Sequence, residues 1–598
     1  MEEELLIHYN NIITGAKNKA ATLQRQIHLM GSIRLAIVIA AIVLIFLYRA
    51  SDAWILGLIV IAAAIPFVIL MIRHNKLDWK KSYAEAESLS AQQELDALDY
   101  KFSAFDGANE LISSLHPFTT DLDIFGEHSL FQSLNRTVTK RGKEVLADWF
   151  INPLLQKEKI ILRQKAIREL SELDELRRNF YVTGILRKDA LTDSQQTRTL
   201  TKTPISFSKS LFWKAMIWLI PAIWILLFLV ASFSYIPWSI VGLFFAVAFL
   251  FAYAQGGKIA KLHEQVNKLE KILKIYSSLM EIVEDRTFQS EELSSITKSL
   301  NGNDIKASNT IAQLSRFIGA LDQRFSLAGI LLNIFYMHDT WTAIRLEHWL
   351  NQHSNDTEKW FDSLAKFDAY SSLATFAYNH PDYIYPEFAD QYFCLKGTAL
   401  GHPLLDRKIC VKNDIDISHD ASFLIITGAN MAGKSTFLRT VGVNYLLSEI
   451  GAPVCAKNLT IFPAPIITSL RTNDSLAGNE SYFFAELKRL KMIIDRLKSG
   501  EKLFIILDEI LKGTNSVDKQ KGSIALMRQL VNYHSCGIIA THDLALGKLA
   551  DEFPKEIRNF RFEADIIDNH LTFSYRLREG IAVNMNACFL MNSMGITV

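Results

Sequence analysis

Two pairs of long apolar runs constrain the fold of this 598-residue chain more than any other feature. The first pair is Leu35–Tyr48 and Ala53–Ile72, and the second is Ala215–Phe233 and Ile236–Ala254. A helix needs about 20 mainly apolar residues to cross a bilayer core of roughly 30 Å, and these runs approach or reach that length. Buried core helices of a large soluble protein are the alternative interpretation. Four uncharged runs joined in pairs by tight turns favour transmembrane hairpins instead.

The charges around the hairpins predict their orientation. Arg49 and Asp52 lie in the first turn, whereas the bases of both hairpins are rich in Lys and Arg. Cytoplasmic flanks of membrane spans carry an excess of these residues. We therefore expect a multi-pass protein of the inner (cytoplasmic) membrane, with the bulk of the chain in the cytoplasm. The flanking cations are Lys17, Lys19, Arg25, Arg73, Lys76, Lys80, Lys81, Lys209, Lys214, Lys258 and Lys261.

Charge and cysteine content exclude some classes of protein. The formal net charge is +1, so no global basic field indicates a nucleic-acid partner, and such binding would have to be local. The five cysteines are scattered without a C-x-x-C pair, which indicates neither a disulfide framework nor a zinc site.

A phosphate-binding motif lies in the C-terminal third. The apolar run that begins at Phe423 leads into Gly428-x-x-x-x-Gly433-Lys434-Ser435, and a helical pattern follows. In this context the loop N–H groups face phosphates, Lys434 reaches the β- and γ-phosphates, and the Ser435 hydroxyl suits Mg²⁺. The motif predicts ATP and Mg²⁺ as ligands. The predicted nucleotide-binding residues here are Gly428, Ala429, Asn430, Met431, Ala432, Gly433, Lys434, Ser435 and Thr436.

Two further apolar strands end in residues suited to hydrolysis. The first ends in Asp508 and Glu509, where Asp508 can hold Mg²⁺ through water, and Glu509 can act as general base. The second ends at His542, which can polarise the attacking water or can be a structural residue. The sequence thus predicts Lys434, Glu509 and His542 as catalytic residues.

The predicted fold class is a multidomain α+β protein. A helical core and lever region carries the two transmembrane hairpins, and a C-terminal P-loop α/β domain of the ABC type follows. The predicted segments are 1–105 (N-terminal helix and first hairpin, spans about 33–48 and 53–72), 106–208 (first part of the helical core), 209–257 (second hairpin, spans about 215–233 and 236–254), 258–385 (second part of the lever and core) and 386–598 (ATPase domain).

The order of motifs resembles the MutS family of mismatch-repair ATPases. Four stretches carry the resemblance: Thr427–Thr436, Asp474–Glu486, Leu507–Thr514 and Ala540–His542. The tail Phe573–Gly580 also fits, and a weaker similarity begins at Asp121 and resembles the start of that family's core and lever domain.

The resemblance implies a homodimeric ATPase with two composite sites. The partner's Ser481 segment would complete each phosphate loop, Asn430 would sense the nucleotide state, and Asn413 would belong to the strand on the adenine side. DNA binding and mismatch repair are the activities of that family.

The departures from the family pattern are equally informative. The stretch before Asp121 is too short for the family's mismatch-recognition and connector domains, and a membrane hairpin stands there instead. Gly478, Tyr482, Cys410 and Ala432 also differ from the usual pattern. ATP turnover is expected to be preserved and mismatch reading to be lost.

Three hypotheses follow from these observations. The first is a membrane-anchored MutS-like ATPase, in which a basic stripe contacts DNA or lipid headgroups. The second is an ATP-driven transporter or membrane machine without a DNA substrate, although the spans carry no ionisable residue in their central parts. The third is an idle scaffold, which the intact motif residues disfavour. The basic stripe comprises Lys258, Lys261, Lys268, Lys271 and Lys274.

Overall fold

The structure is a computed structural model. Asn430, Ser481 and the whole stretch 187–209 before the second hairpin lie outside the residues that the structure describes. The described residues are 2–50, 52–113, 115–186, 210–266, 269–302, 305–418, 422–429, 431–470, 482–512, 514–567 and 570–582.

The first hairpin consists of two unusually long helices, α1 (Glu2–Leu47) and α2 (Ala53–Leu98). Each has 46 residues, so at 1.5 Å per residue each is about 70 Å long. The sequence predicted an N-terminal helix and a hairpin with spans of about 33–48 and 53–72. The structure continues each span directly into a polar helical segment, because no helix-breaking pair of residues interrupts the pattern there. Pro66 lies within α2 without ending it.

A second apolar layer is formed by α7 (Leu211–Ser232), α8 (Trp238–Val266) and the short helix α12 (Leu327–Tyr336). The three helices pack around Trp224. Its indole Nε1 donates to the carbonyl oxygen of Ile334 (3.1 Å), and its ring lies 4.7 Å from that of Phe335. The sequence analysis did not single out α12, since ten apolar residues are too few to indicate a span.

Three helices of the described residues are long and apolar enough to cross a membrane: α1, α2 and α7. Their apolar windows are almost entirely exposed on the protein surface. The fourth predicted span lies in α8, whose apolar part, Trp238–Tyr253, is shorter. The preceding Pro237 favours a helix start at Trp238, so the helical apolar segment is shorter than the predicted run.

The helical core surrounds the 42-residue helix α13 (His338–Asn379). The chain is interrupted between α9 (Leu269–Glu284) and α10 (Glu291–Leu300). The interruption before α10 is held by Glu169, whose carboxylate accepts hydrogen bonds from the backbone N–H groups of Gln289 and Ser290. The other core helices are α3 (Leu130–Leu134), α4 (Lys140–Ile151), α5 (Lys157–Glu172), α6 (Asp174–Ile185), α9 (Leu269–Glu284), α10 (Glu291–Leu300) and α11 (Ala307–Asp322).

The C-terminal part contains two larger sheets and a small hairpin within the described residues. The first sheet has the order β1-β5-β2-β3, and the second has the order β12-β9-β4-β8-β7-β6, parallel except for β12. The strands are β1 (Glu387–Phe388), β2 (Leu395–Leu400), β3 (Asn413–Ile417), β4 (Phe423–Gly428), β5 (Asn458–Ile461), β6 (Ile466–Ser469), β7 (Phe504–Asp508), β8 (Cys536–Thr541), β9 (Ile557–Phe562), β10 (Ala564–Ile567), β11 (His570–Phe573) and β12 (Arg578–Glu579).

Five helices accompany these sheets, and one hydrophobic core joins the second sheet to the helical region. Leu122 of the helical region packs against Gly442 of α14, and both belong to the face that covers Ile506 of β7. The helices are α14 (Lys434–Glu449), α15 (Tyr482–Lys498), α16 (Ser516–Asn532), α17 (Leu544–Gly547) and α18 (Leu549–Glu552).

A buried polar cluster joins the first hairpin to the rest of the protein. We call Tyr9, Glu94, Arg136 and Asn379 the junction. Arg136 Nε donates to Glu94 Oε1 (2.6 Å), and Asn379 Nδ2 donates to Glu94 Oε2 (2.8 Å). Tyr9 in turn donates its hydroxyl proton to Asn379 Oδ1 (2.7 Å). Arg407, in the loop between β2 and β3, donates to the backbone carbonyl oxygen of Asn379 (3.2 Å), so the junction touches the sheet region as well.

Candidate functional site

The strand order brings three separate chain segments to one edge of the second sheet. β8 lies between β4 and β7, with Thr427 opposite Thr541 and Asp508 opposite Ala540. These strands are parallel, so their carboxyl ends meet at the same edge, where open α/β sheets bind ligands. The loop after β4, the carboxylates after β7 and the histidine after β8 therefore converge, as the sequence predicted.

The loop after β4 needs glycine at both ends. Gly428 has φ +152°, and a Cβ atom there would lie 2.4 Å from the backbone oxygen of Phe562. Gly433 has φ +105° and begins the turn into α14. Side chains at these positions would impose strain, because L-residues rarely adopt such φ values. The backbone can consequently wrap closely around a ligand at the N-terminus of α14.

Lys434 is buried beneath this loop. Its Nζ atom donates hydrogen bonds to the carbonyl oxygens of Gly428 and Ala429, both at 2.8 Å. Burial lowers the pKa of the Lys434 ammonium to about 8, although Asp508 and Glu509 partly oppose this shift. The structure thus places the cation within the loop, bonded to carbonyl groups rather than extended away from it.

Ser435 and Asp508 form the pair of oxygen ligands that the sequence predicted for a metal. The Ser435 hydroxyl donates to Asp508 Oδ2 at 2.5 Å. A hydroxyl and a carboxylate fit Mg²⁺, which prefers oxygen ligands and commonly takes its remaining ligands from water and phosphate. The described residues contain no group of three or more His, Cys, Asp or Glu side chains that could hold a metal by themselves. The arrangement therefore suits a metal that is bound together with a phosphate ligand.

Glu509 and His542 are in direct contact. His542 Nε2 lies 2.7 Å from Glu509 Oε1 and 3.2 Å from Lys434 Nζ. The hydrogen bond from His542 lowers the pKa of Glu509 to about 2, so this carboxyl group is ionised at neutral pH. With Nε2–H donating to the carboxylate, the same nitrogen has no lone pair for Lys434. The three predicted catalytic residues thus form one contiguous group.

Glu486 is a further site residue that the sequence analysis did not assign. It lies on α15 and is only 3% exposed, and its carboxylate accepts hydrogen bonds from the backbone N–H groups of Leu511 and Lys512 (2.5 and 3.2 Å). In the segment that it holds, Glu509 has φ +51° and Leu511 has φ +60°. Glu486 therefore anchors the strained turn that carries Glu509. Its place in a segment that resembles the MutS pattern was the available signal.

Asn413 has a different local role from the one expected. Its side-chain amide donates to the backbone oxygen of Tyr575 (3.0 Å) and accepts from the backbone N–H of Leu577 (2.8 Å). Asn413 thereby holds the segment after β11, and Tyr575 lies against Gly433 of the loop. Tyr575 is 45% exposed and presents an aromatic face beside the candidate site. The nucleotide-binding role of Asn413 itself stays a prediction.

The remaining predicted loop residues differ in accessibility. Ala429 and Ala432 are buried, whereas Met431 is exposed and Thr436 lies on the exposed side of the first turn of α14. Asn430 and Ser481 lie outside the described residues, and their predicted roles as sensor and partner contact stay predictions.

Comparison with known proteins identifies the family. The family model of MutS domain V matches residues 424–594, and that of MutS domain III matches residues 110–374. The chain belongs to the MutS family. The match to domain V begins at β4 and contains Lys434, Ser435, Glu486, Asp508, Glu509 and His542, whereas Asn413 precedes it, and the match to domain III covers most of the helical core and the second hairpin.

Among similar proteins are two bacterial ones named DNA mismatch repair protein MutS. The protein of Thermotoga sp. (strain RQ2) is 32% identical over 237 residues, which is 39% of this chain and 29% of the relative. That of Thermus thermophilus is 33% identical over 222 residues, covering 37% and 26%. The DNA mismatch repair protein msh3 of Aspergillus oryzae is 31% identical over 234 residues, covering 37% and 20%. The match thus spans less than a third of each of these relatives.

Proposed function

We propose that this MutS family member is a membrane-anchored ATPase that hydrolyses ATP at composite sites in a homodimer. The observation that carries the proposal is the convergence of Lys434, Ser435, Asp508, Glu509 and His542 at one sheet edge. These residues supply a cation for phosphates, oxygen ligands for a metal and a carboxylate for an attacking water.

Each side chain has a defined task in this proposal. Lys434 exchanges its two carbonyl contacts for the β- and γ-phosphates, and the loop N–H groups face the same anion. Ser435 and Asp508 hold Mg²⁺, which when bound neutralises charge on the phosphates. Glu509 accepts the proton of the attacking water, and His542, which contacts Glu509 before ATP binds, faces the γ-phosphate once ATP is bound.

In this proposal the Glu509–His542 contact belongs to the site before ATP binds. A general base works best with a pKa near the operating pH, and a Glu509 pKa of about 2 makes it a weak base in this state. Entry of ATP is proposed to draw His542 towards the γ-phosphate, so that Glu509 loses a hydrogen-bond donor and its pKa rises.

The low pKa of Lys434 predicts that ATP binding takes up a proton in alkaline solution. The free site is partly neutral above a pKa of about 8, whereas the polyphosphate favours the ammonium form. At pH 8.5 we expect uptake of roughly 0.8 proton per site, and affinity that weakens as the pH rises further. Calorimetry with a non-hydrolysable ATP analogue, in buffers of different ionisation enthalpy, measures this quantity. Lys434→Arg is the matched control, because a guanidinium stays protonated; equal uptake in that variant would contradict the prediction.

Glu486→Ala is predicted to lower kcat about 10- to 100-fold while changing KM for ATP by less than about threefold. The substitution leaves the buried N–H groups of Leu511 and Lys512 without an acceptor and releases the turn that positions Glu509. Steady-state ATPase kinetics test this, with Glu486→Gln as the conservative variant, which keeps one acceptor oxygen and should recover part of the rate. An equal change in KM and kcat, or an unchanged rate, would exclude the positioning role.

Membrane anchoring is the second part of the proposal. It is supported by α1, α2 and α7, which have the length and composition of membrane spans, and by the apolar surface that α12 adds beside α7 and α8. The expected location is the inner (cytoplasmic) membrane, with the ATPase and lever parts in the cytoplasm.

DNA is proposed as the regulator of turnover, because the relatives are named as DNA mismatch repair proteins. The test is the ATPase rate of the protein in nanodiscs with homoduplex, mismatched or branched DNA at several salt concentrations. Stimulation that fades as salt rises would support DNA binding. A rate that no DNA changes would remove DNA from the proposal and leave an ATP-driven membrane machine.

A further inference from the structure

An open groove lies at the base of the first hairpin. It has a volume of about 740 Å³ and is formed by the end of the apolar part of α2, by Met30 of α1 and by Lys274 of α9. Its position is where the apolar run of α2 ends, at Ile72, and the basic flank begins. We call it the basal groove. The lining residues are Met30, Ile72, Arg73, Asn75, Lys76, Leu77, Trp79, Lys80 and Lys274.

The cations of the basal groove come from two separate elements. Residues 73, 76, 77 and 80 follow the i, i+3, i+4, i+7 spacing of one helix face, so Arg73, Lys76 and Lys80 point to the same side of α2. Lys274 approaches from α9. Within the described part of the chain none of these four cations forms an ion pair, and acidic side chains do not line the groove. The groove thus offers positive charge that the described residues do not neutralise.

The walls of the groove are apolar beside these cations. Met30, Ile72 and Leu77 line it together with Trp79, whose side chain is 52% exposed. Tryptophan is enriched where a protein passes from the hydrocarbon core to the headgroup layer. A soluble phosphate compound or a DNA backbone would use the cations but would leave this apolar wall in water. A phospholipid satisfies both parts, with its phosphate at the cations and its acyl chain along the wall.

We propose that the basal groove binds the headgroup of an anionic phospholipid. Because Lys274 belongs to the helical core and the other cations to the first hairpin, the bound lipid joins these two elements. This inference rests on the membrane anchoring proposed above, and it adds a specific lipid class and a specific site. Basic pockets at the cytoplasmic ends of membrane helices are suited to such headgroups.

The experiment measures lipid retention by the full-length protein. The protein is extracted in detergent, equilibrated with an equal mixture of phosphatidylglycerol and phosphatidylcholine, and analysed by native mass spectrometry. Wild type should retain phosphatidylglycerol in preference to phosphatidylcholine. Lys274→Gln should reduce this preference about fivefold, and Lys76→Gln/Lys80→Gln should reduce it further, since each basic residue near an anionic surface contributes a factor of about this size.

Matched variants separate a site from general attraction to negative charge. Lys271→Gln removes an exposed cation from the same helix as Lys274, and Lys17→Gln/Lys19→Gln removes two exposed cations from the first hairpin outside the groove. Both controls should keep the preference of wild type. An equal loss in the controls and the groove variants would overturn the proposal.

Competition and fractionation distinguish the other outcomes. Inorganic phosphate or glycerol phosphate at millimolar concentration should not displace the retained lipid; displacement would mean a phosphate site without acyl-chain recognition and would overturn the lipid assignment. Binding of a DNA duplex that is lost in Lys76→Gln/Lys80→Gln, with lipid retention unchanged, would also overturn it.

Wild-type protein that is absent from the membrane fraction contradicts membrane anchoring itself, whereas membrane-bound protein without lipid preference contradicts the basal groove alone.

Discussion

Glu509→Gln is expected to reduce ATP turnover by a factor of about 10² to 10⁴, the range for removal of a general base. The amide has nearly the shape of the carboxyl group but cannot accept the proton of the attacking water. ATP binding should persist, because Lys434, Ser435 and the loop are unchanged. Single-turnover kinetics and retention of ATP on the purified protein measure the two effects separately.

The control for this substitution is Glu552→Gln. Glu552 lies on α18 in an exposed ion pair with Arg528 (2.8 Å), away from the candidate site. Its loss should leave turnover within about twofold of wild type, as expected for a surface change. Unchanged hydrolysis in Glu509→Gln would remove Glu509 from the mechanism and with it the chemical role proposed for this sheet edge.

Glu94→Ala is expected to destabilise the protein by about 3 to 5 kcal/mol, the cost of leaving a buried charge without its partner. The Arg136 and Glu94 side chains are 6% and 9% exposed, and the substitution also removes the acceptor of Asn379. The attachment of the first hairpin to the helical core should weaken as well, although the contacts of Glu87 with Arg178 and of Tyr83 with Asn179 remain. Denaturant unfolding in detergent measures the free energy, and limited proteolysis measures the release of the hairpin.

An exposed ion pair is the appropriate comparison for the junction. Arg528 and Glu552 are 51% and 44% exposed, and Arg528→Ala should cost less than about 1 kcal/mol, since water and salt screen such pairs. Similar effects of the two substitutions would show that the junction does not join the hairpin to the core. ATP turnover of Glu94→Ala should also be measured at a temperature where the variant stays folded. This measurement shows whether the substitution affects hydrolysis independently of the free energy of unfolding.

Much of the candidate site was predictable because its signals are local. The loop from Gly428 to Ser435 contains its own glycines and lies between a strand and a helix, so its conformation follows from neighbouring residues. Asp508, Glu509 and His542 each follow a buried strand, and parallel strands deliver their carboxyl ends to one edge. The apolar runs of α1, α2 and α7 could likewise be identified from composition alone.

The features that escaped prediction depend on contacts between residues far apart in sequence. Glu486 holds Leu511 and Lys512 from a different helix, and although its segment resembles the MutS pattern, the sequence does not show which backbone groups it would contact. Glu94 and Arg136 meet only through the packing of α2 against the core. The amide of Asn413 holds the Tyr575 segment, a contact that the sequence did not indicate, and its role on the adenine side, which the resemblance implies, stays a prediction.

The full length of α1 and α2 was not predicted from the sequence. A polar helical pattern that continues into an apolar span gives one uninterrupted helix, since neither solvent nor lipid requires a break in α1 or α2. The apolar helix α12 is too short to be recognised from sequence as a membrane element. Its packing on Trp224 assigns it to the apolar layer with α7 and α8.

The most direct test of a membrane-anchored ATPase is ATP hydrolysis by washed membranes. Membranes from cells that produce wild type or Glu509→Gln are stripped at alkaline pH, which removes peripheral proteins, and their ATPase rates are compared. The proposed function predicts that stripped membranes with the wild-type protein keep their ATPase activity. Stripped membranes with the same amount of Glu509→Gln should lack the activity that the wild-type protein adds. Activity released into the soluble fraction, or an equal rate from both proteins, would contradict it.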